Sequence, residues 1–144
     1  MNEMAILNYT TKIDPAKTAS EIQALLGAKG AQSVSTQYVK GEAVAIYFAL
    51  DMNGQMINFR LPSNWEGVLR VLKADKKVPW SLRNEEQAKR TSWRIVKNWV
   101  EAQLAIIESG QAQMAEVFLP YAVTFNGQTL YEKLGQSPQL LLGQ

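Results

Sequence analysis

The chain has 144 residues, 47% of them hydrophobic, with 15 basic and 13 acidic side chains and a formal net charge of +2. That length and apolar content suit one domain, expected over 1–144, and no apolar run reaches the roughly 18 residues that a membrane span needs. Cysteine and histidine are both absent, which excludes disulfide staples, Ser-His-Asp and Cys-His nucleophile systems, histidine bases and Cys/His zinc sites.

The first residues lack a basic segment and a long apolar stretch, so no secretory signal is expected. Residues 6–13 are rich in Thr, Tyr and Ile and read as a strand. Asp14-Pro15 then opens a helix, with Asp as N-cap and Pro at the first helical position. Ala19, Ile22, Leu25 and Leu26 form its buried stripe, and Gly30 ends it.

Three strands follow. Asn53-Gly54 favours a two-residue type I′ turn. That turn sets Leu50 against Ile57, Phe48 against Phe59 and Ile46 against Leu61, all on one face. The other face carries Tyr47 beside Arg60, Ala49 beside Asn58 and Asp51 beside Met56. For the preceding turn, a three-residue loop Val39-Lys40-Gly41 sets Tyr38 against Glu42, Thr36 against Val44 and Val34 against Ile46. It is preferred because a two-residue turn at Lys40-Gly41 would mix the faces.

Ser63-Asn-Trp-Glu66 reads as a capping box. The helix behind it is expected to bury Trp65, Leu69 and Leu72. Asn84-Glu85-Glu86 opens a long helix over roughly 84–109, with a stripe of Ala88, Ile95, Val96, Trp99 and Ile106 and a stop or kink at Ser109-Gly110. Residues 111–119 resume as helix before Pro120, Asn126-Gly127 is a turn, 130–134 a last helical turn, and 136–144 a loosely held tail. The sum is an α+β domain in β-α-β-β-β-α-α order. A three- to four-stranded antiparallel sheet has helices packed on one face and a long C-terminal helix.

Charge is unevenly placed. Arg70 to Lys97 holds nine basic residues against three acidic, and the remainder six against ten. Such a split points to an anionic partner. Arg83, Arg90, Arg94 and Lys97 recur at seven, four and three, which puts them on one helix face. Lys89 and Trp93 flank that face, and Lys76, Lys77 and Trp80 precede it. Cations among indoles can grip phosphates and stack on bases, or meet an acidic protein surface. Partner contact is therefore expected through Lys76, Lys77, Arg83, Lys89, Arg90, Trp93, Arg94 and Lys97, with Tyr47 and Arg60 as a secondary surface. Catalytic patterns are missing: there is no phosphate-binding glycine loop, no Gly-x-Ser-x-Gly and no Asp-x-Asp. Asp14, Glu42, Asp51 and Asp75 read as caps and strand-end residues. No enzyme activity, cofactor or metal is assigned.

In element order, the α-β-β-β-α portion resembles a double-stranded RNA-binding domain. Its second helix opens on Ser63-Asn-Trp-Glu-Gly-Val, which lacks that family's lysine-rich start, so no binding residue is carried over. The segment Arg90-Thr-Ser-Trp-Arg-Ile-Val-Lys-Asn-Trp-Val-Glu-Ala-Gln103, with Glu116-Val-Phe-Leu-Pro-Tyr121, Gly30-Ala31 and Asn58-Phe-Arg-Leu-Pro62, resembles a family of small uncharacterised phage and prophage accessory proteins. The resemblance implies a compact protein in the cytoplasm of an infected bacterium. It also implies action by binding. The first expectation is a block on a host defence protein or nucleoprotein complex, of the anti-CRISPR kind. The alternatives are DNA or RNA binding in phage replication or recombination, and a sponge for an anionic nucleotide signal.

Overall fold

A computed structural model describes residues 5–143, so the reading of the extreme N-terminus as free of a signal, and the last residue of the tail, lie outside it. The elements are α1 (Pro15–Ala28), β1 (Ser33–Val39), β2 (Glu42–Met52), β3 (Gln55–Pro62), α2 (Trp65–Ala74), α3 (Glu85–Glu108), α4 (Met114–Phe118) and α5 (Leu130–Gln136). Short 3-10 turns cover Trp80–Leu82, Leu119–Tyr121 and Pro138–Leu141. The sheet is antiparallel in the order β1-β2-β3, so the class is α+β as expected. No helix among the described residues is long and apolar enough to cross a membrane.

The hairpin at Asn53-Gly54 has left-handed φ at both residues, 55° and 87°, as a type I′ turn demands. Its register is Leu50↔Ile57, Phe48↔Phe59 and Ile46↔Leu61. Phe48 and Phe59 consequently stack with ring centroids 5.1 Å apart, and Phe118 meets Phe48 edge-on at 5.3 Å. Burying each such ring contributes about 1.5–3 kcal/mol. Ala19, Ile22 and Leu26 of α1 and Trp93, Val100 and Leu104 of α3 complete this core. A second cluster, Leu72, Val78 and Ala88 with Trp65, Val68, Leu69 and Leu82 against it, joins α2 to the start of α3.

Several expectations are corrected. Residues 6–13 form turns, not a strand. Asn8 is left-handed at φ 65°, which breaks an extended run. The carbonyls of Tyr9 and Thr11 accept from the buried Gln87 Nε2 at 2.8 and 2.9 Å, in place of a strand partner. The β1–β2 connection is a two-residue turn at Lys40-Gly41, with Val39↔Glu42. A bulge between Gln37 and Tyr38 then resets the pairing to Thr36↔Ile46 and Val34↔Phe48. The bulge, not a longer loop, reconciles the faces. The α2 N-cap is Asn64 without a side-chain bond; Ser63 Oγ instead lies 2.7 Å from Ser92 Oγ, tying α2's start to α3. The buried line of α3 runs through Gln87, Ala88, Thr91, Trp93, Val100 and Leu104, while Ile95, Val96, Trp99 and Ile106 are half-buried.

The remaining elements follow the sequence. Asp14 caps α1 and Asn84 caps α3. Gly110 turns left-handed after α3 at φ 80°. Beyond α4 the chain runs along the outer edge of β3, where Val123 N–H donates to the Asn58 carbonyl at 2.7 Å.

Candidate interaction site: the α3 cations and the Trp80 corner

The cations expected to face outward along α3 are taken up by the protein itself. Lys89 Nζ lies 2.7 Å from Glu42 Oε2 and 2.9 Å from Glu85 Oε2, and sits 5.1 Å above the Trp65 ring. Its hydrogen bonds to Glu42 and Glu85 raise its pKa above the ordinary lysine value. Arg94 Nη1 donates to Glu21 Oε1 at 2.6 Å and to Thr18 Oγ1 at 3.3 Å, bridging α3 to α1. Lys97 pairs with Glu101 at 3.3 Å. The side chains of Lys89, Arg94 and Lys97 are only 15–17% exposed. Arg90 Nε donates to Gln87 Oε1 at 2.9 Å. Trp93 is 2% exposed, with Nε1 donating to the Ala43 carbonyl. The expected basic helix face is thus a packing face. Spacing places these residues together correctly, but α1 brings Glu21 to Arg94, β2 brings Glu42 to Lys89, and α3 itself supplies Gln87 to Arg90 and Glu101 to Lys97.

The secondary surface is also occupied. Arg60 Nη2 pairs with Glu132 Oε1 at 3.0 Å, and Nη1 donates to the Gly127 carbonyl at 3.1 Å. Tyr47 stands opposite Arg60 in the ladder and is half-buried. Arg60, Tyr121, Thr129, Tyr131 and Glu132 line an open cleft of about 600 Å³ between β3 and α5. Glu132 accepts from the Thr129 N–H and hydroxyl and faces Arg60, which together hold its pKa below the usual carboxylate value.

What remains open is the corner between α2 and α3. Val78 is fully buried and Leu82 is half-buried in the second cluster. Trp80, between those two anchors, is 85% exposed. The loop that carries it is fixed from behind: Arg83 Nε donates to the Val78 carbonyl at 2.9 Å and Nη2 to the Lys76 carbonyl at 3.4 Å. Arg83 therefore braces the loop. Lys76 and Lys77 are exposed in the same loop, and Arg70 and Lys73 on the solvent side of α2. Arg70, Lys73 and Lys76 make no ion pair among the described residues. Arg70 and Lys73 were legible as charge but not as site residues. The Val78/Leu82 spacing around Trp80 is the signal that would have marked the indole as outward. Compared with family models, with curated proteins and with solved structures, the chain matches none.

Proposed function

We propose that this protein acts by binding, in the setting that its phage-protein resemblance implies. It blocks a host defence complex by seating Trp80 in a pocket of an acid-rimmed protein surface. The carrying observation is Trp80 itself, 85% exposed on a loop braced by Arg83. Leaving an indole in water forgoes the burial that ordinarily makes tryptophan useful to a fold. With the loop backbone braced, docking has only the two side-chain torsions of the indole to fix, which suits an interface anchor. Arg70, Lys73 and Lys76 around it would steer an acidic partner and form the rim. Trp80 lines none of the five principal clefts among the described residues. A protruding knob suits a pocket on a partner better than a single strand, which needs a groove with successive stacking platforms.

The test is protection of phage from a defence system in bacteria that express the protein. Trp80→Ala and Lys73→Glu/Lys76→Glu should abolish protection while leaving the melting temperature within a degree or two, since exposed sites change stability by at most about 0.5 kcal/mol. Unchanged protection with both variants sinks the proposal. A parallel titration of single-stranded DNA checks the nucleic-acid reading, which requires affinity falling with salt at a logarithmic slope of roughly −2 for three phosphate contacts.

A further inference from the structure

We infer that β1 is a self-pairing edge, through which two copies of this chain join their sheets across a two-fold axis. β1 pairs with β2 on one side; on its other side no strand pairs among the described residues, and Gln23 Nε2 reaches the Val34 carbonyl at 3.4 Å. Alternate residues of an antiparallel edge strand turn their N–H and C=O groups away from the sheet, and another extended strand satisfies them best. From Ser33 to Val39 the strand carries no charged side chain and no proline. The charged residues and prolines by which edges repel copies of themselves are therefore missing, and two copies facing each other meet no like charges. The extra residue of the bulge is Val44 on β2, so β1 itself runs unbroken from Ser33 to Val39.

The occupant is fixed by α1, which lies over both β1 and β2. Arg94 of α3 holds one flank of α1 through Glu21 and Thr18. The opposite flank turns towards the β1 edge, where Gln23 donates to the Val34 carbonyl and accepts from the Thr36 hydroxyl. On that flank the exposed residues are Ala16, Ser20 and Gly27, all small and uncharged, with Lys17 and Ala24 on the solvent crest beyond them. Gly27 has open space where a Cβ would stand and no left-handed φ, so nothing within one copy requires a glycine there. With strands about 4.8 Å apart, a helix above the β1–β2 midline lies about 10 Å from its two-fold mate, the wide end of the roughly 8–10 Å at which helices pack, and small facing residues let the pair close further. An axis near Thr36 sets Ser20 of one copy against Gly27 of the other. A second copy therefore satisfies strand edge and helix flank together.

Sedimentation or light-scattering mass measured against concentration tests this on the full chain. The expected mass rises from the 16.1 kDa of one chain towards twice that between about 1 and 100 µM, by mass action. Hydrogen exchange in β1 should slow over the same range. Ser35→Lys/Gln37→Lys places charges along the edge, and Ser20→Arg fills the helix flank; all three positions are exposed or half-exposed in one copy. Each variant should keep the circular dichroism of the wild type and weaken association at least about tenfold. A single-chain mass at the highest concentration overturns the inference, and so does a dimer that neither variant weakens.

Discussion

Gln87 shows how one side chain can decide a segment that local sequence cannot. It is 2% exposed, and its amide donates to the carbonyls of Tyr9 and Thr11, which lie 78 and 76 residues away in sequence. Its oxygen accepts from Arg90, so both ends of the amide are engaged. A Thr- and Tyr-rich stretch reads as a strand until such a remote donor satisfies its carbonyls instead, and no periodicity in residues 6–13 announces that. Gln87→Leu keeps the volume and removes both donors. Two half-buried carbonyls then lose their partner, at about 1–1.5 kcal/mol each. Urea unfolding should show a loss of about 2–3 kcal/mol, with faster exchange of amides near residues 8–11. A loss under 0.5 kcal/mol would mean that the N-terminal segment is held by Tyr9 and Ile6 packing alone. Trp80→Ala, by contrast, should be nearly silent in the same assay.

Elements governed by their own sequence were legible, and those governed by a neighbour were not. The Asn53-Gly54 turn dictates its backbone angles, and the register of β2 and β3 follows from them residue by residue. The caps at Asp14 and Asn84 are likewise local. The β1–β2 turn needs a bulge two residues away, and the α2 start gives Ser63 up to Ser92 on another helix. The C-terminal segment is an intermediate case. Thr129 and Glu132 form a capping box within α5, which the sequence encodes, but Arg60 of β3 then docks that box onto the sheet. Glu132 titrates below the usual glutamate value because it accepts from Thr129 and faces Arg60. A carboxylate with a depressed folded pKa contributes its stabilisation fully above the unfolded value of about 4.5, and the contribution disappears as pH falls through the folded value. Acidification from pH 5 to 3 should therefore release α5 before the core yields, seen as faster exchange over 122–136 while β2 stays protected. Glu132→Gln should show the loosened state at neutral pH and remove most of the pH dependence. Parallel loss of both regions in the wild type would contradict this account.

Over the whole molecule, the uneven charge that suggests an external anion is in part the fold's own complementarity. Of the nine cations between Arg70 and Lys97, Arg94 meets Glu21 of α1, Lys89 meets Glu42 of β2 and Lys97 meets Glu101, all three carboxylates from the acidic remainder of the chain. Linear charge blocks cannot distinguish a partner on another molecule from a partner across the same core. Of the basic residues between Arg70 and Lys97, those of the α2–α3 corner stay outward, because Val78 and Leu82 turn the loop's apolar contacts inward and leave Trp80 with Lys73 and Lys76 in solvent. A double-mutant cycle on Arg94 and Glu21 separates the two origins of charge. The pair is 2.6 Å apart with side chains 15% and 35% exposed, between the surface case worth less than about 1 kcal/mol and the buried case where removing one partner costs about 3–5. Arg94→Glu and Glu21→Lys should each destabilise by about 1–3 kcal/mol, and the exchanged pair should recover about 1–2 of it. Thr18 would still lose its Arg94 donor in the exchanged pair, so recovery stays incomplete. If α3 instead kept its cations for a partner, each single change would leave unfolding within about 0.5 kcal/mol of wild type and would act only on binding.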